Sequence, residues 1–112
     1  MKFAIPTNNG KLCLHFGHCE VFTFIEVNEE TKEILNKEEI APPPHEPGIL
    51  PAWAAEKGAN IIIAGGMGGR AQQLFTQQDI KVIVGAVEAD PTELVTDYLN
   101  NTLKTGINAC DH

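Results

Sequence analysis

The 112-residue chain has few basic residues and no long apolar segment. It carries 8 Lys and Arg residues against 15 Asp and Glu residues, which gives a formal net charge of −7. Nucleic acids are bound mainly by cations that neutralise phosphates, so this balance argues against a nucleic-acid partner and against an anionic membrane surface. No apolar run approaches the ~20 residues that a membrane span requires. A small anionic ligand stays a candidate only where local groups, such as helix N-termini, can hold it.

Cysteine is scarce as well, and the N-terminus lacks the pattern of a secretion signal. Cys13, Cys19 and Cys110 are an odd number, and we predict thiols or metal ligands, not a disulfide framework. The first ten residues, MKFAIPTNNG, are too short and too polar beyond Ile5 to form a signal peptide. We therefore expect a cytoplasmic protein.

The order of the predicted elements indicates an α/β fold. The length and the 43% of hydrophobic residues fit one globular domain over residues 1–112. Strands are predicted at residues 2–7, 20–27, 33–40, 61–63 and 81–86, and helices after residue 51, at residues 70–75 and after residue 90. Two early antiparallel strands and later strands joined by a helical crossover predict a three-layer sandwich, with a mixed five-stranded sheet and helices on both faces.

Several boundaries follow from local signals. The prolines of residues 42–51 predict a loop from Pro42 to Gly48 and a helix start near Pro51. Residues 33–40 are predicted as an edge strand, although their charges would also suit a helix. The last helix begins with Asp90 as N-cap and is expected to end at Gly106.

The stretch NIIIAGGMGGRAQQL, residues 60–74, is the most informative part of the chain. Three isoleucines predict a strand buried on both faces, and glycines then lead into a helix. Such a loop presents free N–H groups and the positive end of a helix dipole, which favour an anion. A tight turn without a ligand is the simpler alternative. The predicted ligand-binding residues are Gly65, Gly66, Met67, Gly68, Gly69 and Arg70.

Residues 66–71 also fit the G-x-G-x-x-A pattern of dinucleotide-binding proteins. Glu88 lies about 20 residues further on, where an acidic ribose ligand would be expected. The remaining chain is too short to build the second half of such a fold. A P-loop is excluded because no Gly-Lys-Ser/Thr sequence follows the glycines.

The stretch CLHFGHC, residues 13–19, is the densest group of metal-ligand side chains. Thiolates suit Cu(I), Zn and iron–sulfur centres, and imidazoles suit Zn, Cu and Fe. The spacing matches no standard zinc finger, and a cysteine–histidine nucleophile pair or plain core residues are alternatives. The C-terminal Cys110-Asp111-His112 could ligate a metal or form a frayed tail. His45, in the proline loop, is predicted to be an exposed histidine without a role. The predicted metal ligands are His15, His18, Cys13, Cys19, Cys110 and His112.

Four stretches together resemble the dinitrogenase iron–molybdenum cofactor biosynthesis family. They are KFAIPT at the N-terminus, HFGH before a strand of the FTFIEV type, IIIAGGMGGRA, and a last helix opened by a proline. The resemblance covers nearly the whole chain, and HFGH and GGMGGRA are its most specific parts. The family includes small stand-alone cluster-binding proteins and the orange protein, which carries a molybdenum–copper sulfide cluster.

The resemblance implies a ribonuclease H-like fold and a carrier or scaffold for a metal–sulfur cluster, with molybdenum and either iron or copper. It implies no catalytic step, and ribonuclease activity does not follow, because that chemistry needs several clustered carboxylates. It places the cluster near His15, His18 and the glycines, with cofactor-assembly or ATPase proteins as expected partners. A nucleotide-dependent redox enzyme and a metal-free scaffold that binds a protein partner are the alternatives.

Overall fold

The computed structural model describes residues 1–14, 19–43 and 49–106. One mixed sheet runs through the molecule and three helices cover it. The elements in chain order are β1 (Lys2–Asn8), β2 (Lys11–Leu12), β3 (Val21–Val27), β4 (Ile34–Ile40), α1 (Ile49–Glu56), β5 (Ile61–Ile63), α2 (Gly69–Gln77), β6 (Lys81–Ile83) and α3 (Pro91–Leu99). None of these helices is long and apolar enough to cross a membrane.

The strands lie in the order β4-β3-β1-β5-β6, and β2 pairs with β1 alone. β1 runs antiparallel to β2 and β3 but parallel to β5, and β5 runs parallel to β6. The carboxyl ends of β1, β5 and β6 therefore lie at the same edge of the sheet. The loops that follow β1 and β5 are neighbours there.

Within the described residues the sheet has six strands, so the predicted count of five was wrong. The additional strand is β2, which pairs Leu12 with Thr7 and Lys11 with Asn8. Asn9 and Gly10 both have positive φ, 52° and 79°, as a tight hairpin turn requires. An Asn-Gly pair is typical of a hairpin turn, and here the return strand is only two residues long.

Successive side chains along the strands point to opposite faces of the sheet and pack into two separate cores. Each core lies under helices, which confirms that helices cover both faces. Phe22 and Phe24 pack against α1 and α2, and both rings contact Trp53, at centroid distances of 5.3 and 5.5 Å. Ile25 and Val27 face the opposite way and pack against α3. β5 contributes side chains to both cores and is buried along its whole length, as its three isoleucines predict.

The segment at residues 33–40 forms a strand and not a helix. β4 lies at the edge of the sheet, pairs only with β3, and exposes all its residues except the half-buried Ile40. Charged side chains at such an edge discourage pairing with further strands. The prediction of a polar edge strand is confirmed.

Two predicted ends were wrong. α3 was expected to continue to Gly106, but it ends at Leu99 because Asn101 adopts a left-handed backbone, with φ 59°. Leu103 still packs against the core beneath α3. The strand predicted at residues 81–86 ends at Ile83, since Gly85 has φ 85°, and Ala86 forms only a single bridge with Thr105. Of the predicted proline loop, residues 44–48 lie outside the described residues.

Candidate functional site

The candidate site lies where the segment that follows the β1–β2 hairpin meets the loop after β5. In open α/β sheets, ligands bind in the crevice outside the carboxyl ends of the parallel strands. We call residues 65–70 the glycine loop and residues 13–19 the cysteine loop, of which residues 15–18 lie outside the described part. A Cβ atom built on Gly65 would lie 3.0 Å from side-chain atoms of Leu12 and Leu14. The two loops are therefore in direct contact.

The inner half of the glycine loop is fixed by hydrogen bonds. Gly85 donates its N–H to the carbonyl oxygen of Gly65 at 3.0 Å, and the Gln72 amide donates to that of Met67 at 2.9 Å. Gly65, Gly66 and Met67 are buried, and the Met67 side chain lies in the core between the sheet and α1 and α2. The thioether of Met67 is therefore not available to a ligand at the surface.

The outer half of the loop is the start of α2. Gly68 is the N-cap and supplies no side-chain cap, and the first turn contains no acidic residue. The first N–H groups of a helix have no acceptor within the helix, and the helix dipole places partial positive charge there. Arg70 is exposed in this first turn. The arrangement provides backbone donors and one cation for an anion.

Two glycines at the helix start are not required by the fold. A Cβ atom on Gly68 or Gly69 would meet no heavy atom within 4 Å, and Gly68 has an ordinary φ of −64°. None of Gly65, Gly68 and Gly69 has a positive φ, so the loop does not use these glycines for a left-handed turn. The backbone at Gly68 and Gly69 thus faces open space that a ligand could occupy at close range.

The cysteine loop leaves and rejoins the end of β1. Cys13 donates its N–H to the carbonyl oxygen of Pro6 at 2.8 Å, and Glu20 donates to that of Thr7 at 3.1 Å. Asn8 bridges the two ends: its Nδ2 donates to the Cys13 Sγ at 3.3 Å, and its Oδ1 accepts from the Glu20 N–H. The residue Cys13 is buried, at 5% exposure, and Cys19 is half-buried. Asn8 therefore fixes the mouth of the loop.

Burial dominates the electrostatics of Cys19. The pKa of the Cys19 thiol is raised to about 11, mainly by burial and also by the electrostatic influence of Cys13, against a lowering by a backbone hydrogen bond. Near neutral pH the Cys19 thiol keeps its proton, and a metal that binds there must displace it.

The structure brings only some of the predicted ligands together. Cys13 and Cys19 stand at the two ends of the cysteine loop, whose Leu14 lies against Gly65. The described residues contain no group of three or more His, Cys, Asp and Glu that could hold a metal ion. The other predicted residues lie outside the described part of the chain: His15, His18, His45, Cys110 and His112. Their roles stay predictions.

Sequence reasoning missed the residues that support the site. The sequence N-N-G indicates a turn at Asn8, and nothing in it indicates the contact with Cys13. The periodicity of α2 predicts that Gln72 faces water, but its amide holds the carbonyl oxygen of Met67. Leu12 and Leu14 form the wall against Gly65. All these contacts depend on residues that are distant in sequence or on the register of a hairpin.

The family model described as "Dinitrogenase iron-molybdenum cofactor" matches residues 1–101 of this chain. The chain belongs to this family. The match spans both the cysteine loop and the glycine loop, and it confirms the resemblance noted from the sequence. The family assignment connects the chain with the iron–molybdenum cofactor of dinitrogenase.

Relatives of this family member have been found by sequence and by structure. The uncharacterized protein MJ0580 of Methanocaldococcus jannaschii is 39% identical over an alignment of 87 residues, which covers 73% of this chain and 72% of the relative. The crystal structure of PH0822 is similar with a TM-score of 0.84 at 29% identity, covering 94% of each chain. The apo form of the orange protein from Desulfovibrio gigas has a TM-score of 0.70 at 20% identity, covering 96% of this chain and 93% of that one. At that identity, the orange protein shows a shared fold alone.

Proposed function

We propose that this protein binds an anionic metal–sulfur cluster, containing molybdenum with iron or copper, as a carrier or accessory in cofactor assembly. The observation that carries the proposal is the open, uncapped start of α2, where Gly68 and Gly69 expose backbone donors beside Arg70. The family assignment supports a role connected with the iron–molybdenum cofactor. The net charge of −7 makes a local anion site of this kind necessary, because the rest of the surface repels anions.

The donor set suits a sulfide cluster. Backbone N–H groups at a helix start stabilise anions, and thiolates are the preferred protein ligands of soft metals. Cys13 and Cys19 lie next to the glycine loop, and His15, His18, Cys110 and His112 are the further ligands that we propose. Cys110 follows Gly106 by four residues, a separation of at most about 14 Å. Since Gly106 donates to Gly85, which donates to Gly65, the tail is long enough to reach the glycine loop.

In this proposal the protein carries the cluster and catalyses no reaction. The cluster is its cargo, and cofactor-assembly or ATPase proteins are its expected partners in the cytoplasm. The ribonuclease H-like arrangement belongs to the same proposal and is supported by the strand order β4-β3-β1-β5-β6, in which β3 alone among these runs antiparallel to β1. β4 runs antiparallel to β3 and completes that half of the sheet.

The test uses protein purified anaerobically from cells supplied with molybdate, iron and copper, followed by metal analysis and visible absorption. The apo protein is then titrated with tetrathiomolybdate, a molybdenum–sulfur anion. Gly68→Val should weaken its binding at least about tenfold, because the side chain fills the open space at the helix start. The fold should survive, at a cost of about 1 kcal/mol for a poorer N-cap.

Gln77→Val is the matched control, since it places the same side chain at the exposed last residue of α2. It should bind tetrathiomolybdate as the unchanged protein does. Equal binding by the Gly68→Val protein would refute the glycine-loop site. A colourless protein without metal that instead binds NADH saturably would favour the nucleotide-dependent enzyme, and one that binds neither would favour the scaffold.

A further inference from the structure

We propose that the cavity between α3 and the loop after β6 receives an arginine side chain from a partner protein. The inference extends the proposed function, which expects protein partners, and it rests on that function only for the existence of a partner. It names the chemistry by which such a partner is recognised. Binding of an arginine peptide needs no cluster, so the two proposals can fail separately.

Three segments of the chain enclose this cavity, which has a volume of about 220 Å³. They are the loop at residues 87–89, the helix α3, and the segment at residues 102–104. Sites for whole small molecules usually have volumes of about 300–1,000 Å³. The cavity therefore has the size for one side chain, with the rest of the ligand outside it.

The cavity owes its shape to the reversal of the chain after α3. Asn101 adopts a left-handed backbone, with φ 59°, and the Thr102 N–H donates to the carbonyl oxygen of Asp97 at 2.8 Å. On the other side, Thr105 pairs with Ala86 in a single β-bridge. Both borders are thus fixed by backbone contacts, and a ligand loses little free energy to ordering the walls.

The walls offer apolar surface to the stem of a side chain. Leu94 is buried, and Ala89 and Leu103 are half-buried. Val87 also lines the cavity and, at 60% exposure, is the most exposed large hydrophobic residue in the described part of the chain. The methylene groups of arginine pack along such surface while the charged head stays near water. Val87 leaves apolar area for the residues that flank this arginine.

Two carboxylates give the cavity its charge. Glu93 and Asp97 both line it and stand four residues apart on α3, a spacing that makes side chains neighbours on a helix. The Oδ1 of Asp97 accepts the Thr102 hydroxyl at 3.2 Å. The Glu93 side chain is exposed and has no hydrogen bond or ion pair within the described residues. Lys104 is exposed and is the one cation among the described lining residues.

An arginine suits this pair of carboxylates better than a lysine. The planar guanidinium carries several N–H donors and can bond two carboxylates at once, whereas an ammonium is a point charge. Arginine is also one of the residues that contribute most to protein–protein binding. The formal net charge of −7 adds long-range attraction for a basic partner.

The cavity adjoins the candidate site. Ala89, in its wall, accepts the Leu12 N–H at 2.9 Å, and Leu12 in turn lies against Gly65. A partner that places an arginine here therefore lies next to the cysteine loop and the glycine loop. This position suits a protein that delivers or receives the proposed cargo.

The experiment is an NMR titration of the isotope-labelled, full-length apo chain with the peptide acetyl-Leu-Arg-Leu-amide at low salt. The amide signals of residues 87–89, 93–97 and 102–104 should shift. A peptide with citrulline, an uncharged analogue, in place of arginine should bind at least about fivefold more weakly.

Three variants of the chain sharpen the test. Glu93→Gln should weaken binding of the arginine peptide about threefold, and Lys104→Gln should strengthen it about twofold because it removes a competing cation. Glu56→Gln is the matched control, since it makes the same change as Glu93→Gln at the exposed last residue of α1. It should alter the affinity less than about twofold.

Several outcomes would overturn the inference. Equal binding of the arginine and citrulline peptides is one, and signal shifts confined to other parts of the chain are another. Unchanged affinity in the Glu93→Gln protein is decisive, because Glu93 is exposed and the fold should stay intact.

A last comparison separates a partner protein from a free small cation. N-acetylarginine amide lacks the flanking leucines that Val87 should contact, so it should bind at least about threefold more weakly than the peptide. Equal binding would overturn the assignment to a partner protein. If the peptide binds as expected but tetrathiomolybdate does not bind, the proposed function fails and this inference stands. Loss of peptide binding with intact tetrathiomolybdate binding has the reverse meaning.

Discussion

Positions 85 and 68 are both occupied by glycine, but for different reasons. Gly85 has φ 85°, and a Cβ atom there would overlap the backbone of Gly106. Gly68 has φ −64°, and a Cβ atom there would meet nothing within 4 Å. The fold needs a glycine at the first position and would accept other residues at the second.

The difference separates two uses of glycine in one site. Gly85 belongs to the framework, since it accepts a hydrogen bond from Gly106 and donates one to Gly65. Gly68 and Gly69 leave space above a helix start, a feature that stabilises nothing within the chain. We expect a ligand to bind where the chain leaves open space that the fold itself does not need. Substitutions at these positions test the comparison directly.

The largest effect on stability is expected from Gly85→Ala. The side chain adds strain in the left-handed region and collides with backbone that cannot move away easily, so we expect a loss of about 3 kcal/mol. Urea denaturation measures it. Gly58→Ala is the control, because Gly58 has a similar φ of 87° but only a distant contact with the Lys2 side chain. Its loss should be about 1 kcal/mol, and equal losses would contradict the collision.

Gly65→Ala should have an intermediate effect. Its Cβ would lie 3.0 Å from Leu12 and Leu14. Leu12 is buried and cannot move freely, and the contact with Leu14 includes its backbone Cα atom, although the Leu14 side chain is exposed. We expect a loss of about 1–2 kcal/mol in urea denaturation. A loss as large as that of Gly85→Ala would mean that the two loops are more rigidly packed than this contact indicates.

Gly69→Ala should have the opposite sign. Gly69 is the first residue of α2 and a side chain there meets no atom, so alanine should stabilise the chain by about 0.5 kcal/mol. Tetrathiomolybdate binding should nevertheless fall at least about threefold, as measured by titration. A more stable protein with unchanged binding would show that the open space is not used by the anion.

The smallest effect on stability near neutral pH comes from ionisation of Cys19. Its pKa is raised in the folded chain from 9.0 to about 11, so it favours the folded state below about pH 9, and this contribution is lost as the pH rises through 11. Alkylation of Cys19 at pH 8 should be up to about 100-fold slower in the folded chain than in urea. Tandem mass spectrometry of the alkylated peptide measures the rate. Equal rates would mean that burial does not protect this thiol.

Much of the fold follows from local patterns. The alternation in β3, the isoleucines of β5 and the Asp90-Pro91 start of α3 predicted elements that the structure contains. The errors concern short or frayed ends: the two-residue β2, the early end of β6 at Ile83 and that of α3 at Leu99. Such ends are decided by left-handed backbone at Asn101 and Gly85, which apolar periodicity does not reveal.

The residue types of the candidate site could be predicted from the sequence, but their arrangement in space could not. The glycines before a helix and the cysteines in one loop can be read in order along the chain. That these two loops touch follows from the parallel pairing of β1 with β5, which connects residues about 60 positions apart and cannot be read from a local pattern. The bridge by Asn8 depends in turn on the register of the β1–β2 hairpin.

The sequence by itself determined the chemistry of this protein: an acidic chain with a buried strand, a glycine loop, a helix start and two nearby cysteines. These properties belong to single residues and their immediate neighbours in sequence, so they can be recognised before the fold is known. The tertiary structure alone decided which glycines belong to the framework, which of them face open space, and which loops lie together. Those properties depend on distances between distant segments, which exist only once the sheet has brought the loops to one edge.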